Sequence, residues 1–230
     1  MSRLLVPRQA VPDWMRTLVD GVDNIDMDAF NRYMPAIAQP RDAAVLILLG
    51  ERAPGEPDLL LQLRAGGLSA HSGQVAFPGG GAEPGDDGPV ATALREAVEE
   101  TGLDPTGVVP VAQLPTLQVP VSGFVVTPVL AHWARPSRVW AVDAAESAAI
   151  RRVTIADLVD PANRIQVRHR LSGSISPAFL LPGMVVWGFT AGVLTLLLEV
   201  GGWAVPWDTG DIRDLDASWR SVGPHAVGEG

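Results

Sequence analysis

Between residues 95 and 100 the chain reads "REAVEE", which sets one arginine, Arg95, among three glutamates, Glu96, Glu99 and Glu100. Spacings of three and four residues bring these side chains onto adjacent turns of a helix, and Arg95 stands four residues before Glu99, within pairing reach. The glutamates fall in the last turns of that helix, where the macrodipole disfavours negative charge. One nearby cation is left to offset three carboxylates. A charge run is ordinarily a solvated face, but this one costs stability where a surface without a task would carry arginine. Clustered carboxylates are the donor set of a hard divalent cation that takes oxygen ligands, and in a chain without cysteine Mg2+ or Mn2+ is the natural choice.

The elements that must hold this cluster can be read around it. Residues 89 to 101 have the pattern of a helix. Asp87 or Gly88 can cap it, Pro89 suits its first turn, and Gly102 ends it. Val90, Leu94, Ala97 and Val98 form an apolar face, which puts the glutamates in the opposite sector. The stretch before the helix, "RAGGLSAHSGQVAFPGGGAEPGDDG", reads as a glycine-rich loop with a short strand near "QVAF". Gly79, Gly80 and Gly81 would let the backbone approach a ligand or turn tightly. Residues 43–50 and 59–64 are apolar runs bounded by Pro, Gly and Asp, hence strands. "VVPVAQL", "FVVTPVLAHW", "IRRVTI" and "RIQVRHRL" are further strands, and "IADLVDP" is a short helix stopped by Pro161. Residues 11–35 read as one or two short amphipathic helices. Strands and helices mix without a regular βαβ rhythm, so the fold class is α+β. The expected organisation is a helical extension at 1–35 packed on a domain at 36–205, with a polar, poorly ordered tail at 206–230.

Composition removes several functions. The chain has 230 residues, is 47% hydrophobic and 19% charged, and so can bury a sizeable core. A net charge of −9 argues against nucleic acid or an anionic membrane as the partner. A small phosphorylated molecule stays open if metal ions supply the positive charge. Without cysteine there is no disulfide, thiolate nucleophile or Cys-ligated zinc. The histidines are scattered, and neither a G-x-S-x-G elbow nor a P-loop is present. Leu171 to Leu198 carries no charge and is long enough to span a bilayer, but Pro177, Pro182, Gly183, Gly188 and Gly192 interrupt it. A buried strand, "AFLLPGMVVWG", followed by a helix, "FTAGVLTLLLEV", accounts for it better. The first residues lack the apolar core and cleavage site of a signal peptide, so a cytoplasmic location is expected.

Gly81, five residues, Asp87, seven residues, then "REAVEETGL" closely resembles the Nudix box, G-x5-E-x7-R-E-U-x-E-E-x-G-U with U apolar. Asp87 is the departure, standing where the pattern has Glu. The resemblance implies the Nudix fold, a mixed β-sheet sandwiched between α-helices, and metal-dependent hydrolysis of a nucleoside diphosphate linked to another group. It assigns Glu96, Glu99 and Glu100 to the metal and Arg95 to orienting them. In this fold the general base is a box glutamate or a residue on a later loop, and Glu146 is the loop candidate. Its plainer reading is an exposed loop glutamate.

The stretch "LLLQLRAGGLSAHSGQVAFPGG" resembles the extra signature of the coenzyme A diphosphatase branch, L-L-T-x-R-[SA]-x3-R-x3-G-x3-F-P-G-G. Leu60, Leu61, Arg64, Ala65, Gly73, Phe77, Pro78, Gly79 and Gly80 match, whereas Gln62 replaces Thr and Ser69 replaces the second Arg. This implies cleavage of coenzyme A or its derivatives to 3′,5′-ADP and 4′-phosphopantetheine, with Arg64, His71, Gly79 and Gly80 at the substrate. Arg64 could equally pair with a surface acid, and Phe124 is expected in the core. Two rivals stand beside this reading. One is a Nudix hydrolase of another nucleoside diphosphate derivative, such as ADP-ribose or a dinucleotide. The other is a catalytically silent nucleotide sensor. A homodimer is compatible with any of them.

Overall fold

The apolar run at 43–50 becomes the axis of the protein. The computed structural model describes residues 3–25, 37–65, 74–120, 122–168 and 173–222. Its elements follow in the order β1 (Arg3–Leu4), α1 (Arg16–Gly21), β2 (Arg41–Glu51), β3 (Pro57–Arg64), β4 (Val75–Ala76), β5 (Gly79–Gly81), α2 (Gly88–Thr101), β6 (Val108–Gln113), β7 (Leu117–Val119), β8 (Phe124–Trp133), β9 (Ser147–Thr154), α3 (Ile155–Val159), β10 (Arg164–Arg168), β11 (Ile175–Leu181), β12 (Met184–Val186), α4 (Gly188–Val200), β13 (Ile212–Asp214) and α5 (Leu215–Ser221).

β2 has no polar side chain from Ala43 to Leu49 because both of its faces are covered. Ala44, Leu46 and Leu48 pack with Ala93 and Ala97 of α2 and with Trp133. Ile47 and Leu49 join a larger core with Leu59 and Leu61 of β3, Leu194 and Leu198 of α4, Met15 and Leu18, and Phe179 and Val186 of a second sheet in the order β12-β11-β10-β13. Each fully buried Leu or Ile contributes roughly 1.5–3 kcal/mol relative to exposure. The mixed sheet therefore lies between α2 on one side and the helices and second sheet on the other, an α+β sandwich.

The pairing of β2 creates the feature that builds the site. One edge of β2 runs parallel to β8 from Arg41 to Leu49. The other edge is shared: β5 takes Ala43 to Val45 and β3 takes Leu49 to Glu51, both antiparallel. The sheet forks between them, and the Leu46 N–H reaches the Pro78 carbonyl at 2.8 Å. β3 continues away from β2, paired with β4 and β9.

Several expectations change. The stretch read as one strand, "AFLLPGMVVWG", is an antiparallel pair, β11 and β12, because Pro182 and Gly183 make a turn in which Gly183 takes φ 71°. The helix after it is there, and among the described residues no helix is long and apolar enough to cross a membrane. Within the stretch expected as a poorly ordered tail, β13 pairs in parallel with β10, and α5 follows, capped by the Asp214 carboxylate. Trp207 fixes the approach by stacking 4.6 Å from the buried Arg164 guanidinium. Residues 223–230 lie outside the described residues. In the N-terminal stretch, β1 pairs with β6, and α1 buries Leu18 and Val19. Residues 26–36 of that stretch are outside the description.

Candidate active site

Helix α2 begins after Asp87, carries Pro89 in its first turn, and ends at Gly102, whose φ of 66° is the left-handed conformation of a helix C-cap. Its buried side is wider than the expected one. Ala97 is buried and Val90 and Leu94 pack on the core as expected, but Thr92, Ala93, Glu100 and Thr101 are buried as well, and Val98 is half-buried. Alanines allow a close approach to β2 and β5, and larger side chains would hold the helix off. Glu96 and Glu100 therefore face the sheet instead of lying opposite the apolar face, and Glu99 alone is mostly exposed.

Glu100 bridges the fork. Its Oε2 accepts from the Gly79 backbone N–H of β5 at 2.9 Å, and its Oε1 accepts from Gln62 Nε2 of β3 at 3.1 Å. Arg64 Nη1 lies 3.9 Å from the same Oε1, with the arginine side chain 41% exposed. Glu96 lies over Gly80. A Cβ at residue 80 would come within 2.5–2.6 Å of the Glu96 carboxylate, so glycine is required for the carboxylate to lie there. Burial raises the pKa of both Glu96 and Glu100 above the ordinary glutamate value. Hydrogen bonds from Arg95 to Glu96, and from Gly79 and Gln62 to Glu100, oppose the rise without cancelling it.

Arg95 organises the rest. Its Nε and Nη2 each bond an oxygen of Asp86 at 3.0 Å, and Nη2 also donates to the Gly81 carbonyl at 2.9 Å. Its Nη1 donates to Glu96 Oε1 and Glu99 Oε2, both at 3.0 Å. Asp86 also accepts from the Thr92 hydroxyl and the Glu83 N–H. The Arg95 bonds, first among these, hold its carboxyl well below the ordinary aspartate range, and the same pair raises the pKa of Arg95.

The structure thus brings Arg95, Glu96, Glu99, Glu100, Gly79, Gly80 and Arg64 into one neighbourhood. Asp87, at the box position, is exposed, and its side chain makes no capping bond to the helix. The contact with Arg95 falls to Asp86 instead, one residue earlier in the turn. Glu146 is exposed in the turn before β9, and its backbone carbonyl accepts from Ala65 N–H at 2.8 Å, beside the end of β3. No hydrogen bond or ion pair among the described residues joins its carboxylate to the box. His71 and Ser69 lie outside the described residues. Phe124 is half-buried under the Arg41 guanidinium, 4.3 Å away, and is not a core residue. Asp86 escaped the sequence reading, and Gln62 entered it only as a replacement for the signature Thr. The signal for Gln62 was a lone polar residue inside "LLLQL".

The donor set fits a hard divalent cation: three carboxylates on one helix, two of them kept short of compensation by burial. As the side chains stand, no three acidic or histidine side chains among the described residues converge on one point. Arg95 lies between Glu96 and Glu99, and protein donors engage both oxygens of Glu100.

Residues 39–170 match the NUDIX domain family. The chain is 36% identical over 164 residues to "Uncharacterized Nudix hydrolase NudL" of Cronobacter sakazakii, covering 70% of this chain and 83% of that protein. NudL of Salmonella paratyphi B shows the same identity and coverage. Among solved structures, a Nudix hydrolase from M. smegmatis, RenU, is 23% identical and covers 73% of this chain and 89% of its own, with a TM-score of 0.49. The family match takes in more than half the chain together with the helix that bears the carboxylates, and this chain belongs to the Nudix hydrolases.

Proposed function

We propose that the chain hydrolyses the diphosphate of coenzyme A or its derivatives, releasing 3′,5′-ADP and 4′-phosphopantetheine or its acyl form. The observation that carries the coenzyme A reading is the signature upstream of the box. Its Arg64 stands next to Glu100, and its Gly79 and Gly80 form the bed of Glu100 and Glu96. Glu96, Glu99 and Glu100 would hold Mg2+ or Mn2+. When bound, the ion neutralises the diphosphate and lowers the pKa of a coordinated water.

The remaining roles belong to the chain. Arg64, part-exposed beside the carboxylates, offers its guanidinium fork to a phosphate oxygen. Arg95 keeps Glu96 and Glu99 oriented through its hold on Asp86. Gly80 keeps a Cβ atom out of the space that the Glu96 carboxylate of α2 occupies, and Gly79 lets β5 lie close against the main chain of β2. A carboxylate takes the proton of the attacking water, with a box glutamate or Glu146 in that role. The oxygen of water adds to one phosphorus, and the phosphoanhydride bond breaks toward the other.

Incubation with coenzyme A and Mg2+, with and without EDTA, tests this by mass spectrometry of the products. EDTA-sensitive 3′,5′-ADP plus 4′-phosphopantetheine is expected, and Glu100→Gln should remove that turnover while the protein stays folded. Gln62 and Ser69 depart from the signature, and this favours a second reading, hydrolysis of another nucleoside diphosphate such as ADP-ribose. Cleavage of ADP-ribose but not coenzyme A by the same preparation would select it. Tight nucleotide binding without any turnover would select the silent sensor, against which the intact Glu96, Glu99 and Glu100 argue.

A further inference from the structure

Gln62 has no reason to be where it is unless Glu100 needs it. Its side chain is 1% exposed within a β3 run otherwise made of buried leucines. The backbone there is laced on both edges, Gln62 pairing with Ala76 of β4 and Ile150 of β9, so the side chain has little freedom of direction. A carboxylate only accepts, so the Gln62 amide must present Nε2 to Glu100, which leaves Oε1 pointing elsewhere. That Oε1 is buried without a hydrogen-bond partner among the described residues. Burying an amide with its acceptor unpaired is unfavourable, and leucine or methionine would suit the strand better. A residue that lowers stability in a core strand calls for an explanation outside stability.

The geometry supplies one. Each oxygen of Glu100 is held by a donor from a different branch of the fork, Gly79 from β5 and Gln62 from β3. With Gly79 alone, the carboxylate could pivot about Oε2. With both donors its plane is fixed. We propose that Gln62 is a positioning residue that fixes the plane of the Glu100 carboxylate for binding of the divalent cation. This rests on the reading of Glu100 as a ligand for that ion.

The test is Gln62→Met, which keeps the length and removes both the donor and the unpaired acceptor. Binding of Mn2+ to the substrate-free protein is measured by electron paramagnetic resonance, alongside thermal melting and steady-state kinetics on whichever diphosphate the product analysis selects. Outer-shell partners of a metal ligand are typically worth 10–100-fold in metal affinity or activity. Mn2+ binding weakened about tenfold or more is expected, with kcat lowered, KM for the substrate unchanged, and Tm equal to or above wild type. Wild-type Mn2+ affinity and kcat in a folded Gln62→Met protein would overturn the proposal. If methionine prevents folding, Gln62→Leu supplies an apolar side chain without a donor, like its neighbours in β3, and the same two outcomes apply. Glu100→Gln runs in parallel. If it leaves Mn2+ affinity intact, the ligand reading of Glu100 has failed. If it abolishes binding while both Gln62 variants bind normally, the positioning role alone has failed.

Discussion

Gly80→Ala should silence the enzyme while leaving it folded. Gly80 does not need the left-handed backbone region, so alanine brings no backbone strain. The added Cβ would stand 2.5 Å from Glu96 Oε1 and 2.6 Å from both Cδ and Oε2, against 3.4 Å or more for ordinary contact. The obstructing atoms are the far end of a flexible side chain, so the carboxylate swings aside by roughly 1 Å and the backbone stays. A misplacement of about 1 Å at a reacting centre can lower the rate about 100-fold, near 2.7 kcal/mol of barrier. The fold should change little, because replacing glycine restricts the unfolded chain by about 0.4–1 kcal/mol and offsets part of the disturbance. At roughly 2–4 °C per kcal/mol for a chain of this size, Tm should stay within about 4 °C of wild type. The assay pairs a thermal melt with kcat for the diphosphate substrate at saturating Mg2+. A Gly80→Ala protein with normal Tm and more than a third of wild-type kcat would refute the reasoning, because the carboxylate position over Gly80 would then not matter. Gly79→Ala is the contrast. Its Cβ meets the Ala44 carbonyl oxygen and the Val45 Cα, main-chain atoms that cannot swing away, so the melt itself should fall.

Other outcomes follow from the same geometry. Arg95→Lys keeps the charge but cannot span both oxygens of Asp86, the Gly81 carbonyl and two glutamates, so kcat should drop about tenfold or more in a folded protein. Arg152 makes a two-pronged pair with Asp58, 2.6 and 2.9 Å, and the Asp58 side chain is 1% exposed. Arg152→Ala strands that charge and should destabilise by about 3–5 kcal/mol in denaturant melts. The pH dependence has a sign fixed by burial. Glu96 and Glu100 have folded pKa values above their unfolded ones, so their contribution favours the fold while they are protonated. It is lost as pH rises through the raised values. The metal-free Tm should therefore decline as pH climbs out of the ordinary glutamate range. Asp86, held low by Arg95, acts in the opposite sense and loses its contribution on acidification below the ordinary aspartate value. Added Mn2+ should raise Tm more at neutral pH than at acidic pH, because the ligands must be ionised.

The helix with its three glutamates was legible because spacing, cap and C-terminal glycine all point to one element. What the sequence could not show is how far the buried side of that helix extends. The expected Ala97 is buried and Val90 and Leu94 pack on the core, but close packing also buries Thr92 and Ala93, and that turns Glu96 and Glu100 toward the sheet. Motif register picked Asp87, but the turn directs Asp86 at Arg95, and neighbouring residues in a turn point in directions that spacing cannot resolve. Gln62 was legible only as a departure from the upstream signature, since its partner Glu100 lies 38 residues later on α2 and meets it only where the sheet forks. The β11–β12 pair hid in one long apolar run, which carries no regular alternation to mark the turn at Pro182 and Gly183.

The segment bearing Trp14 and Gly21 has its partners in residues made much later. The Trp14 ring lies 6.3 Å from that of Trp203, and the chain at Gly21 packs against Val200 at the end of α4. During synthesis from the N-terminus, Met15, Leu18 and Val22 therefore emerge long before the surface that will cover them. The sheet and its box helix can assemble first, but this part of the core stays open until α4 leaves the ribosome. Contacts between such distant parts of a chain slow folding, and the waiting apolar side chains are a place for a chaperone to act.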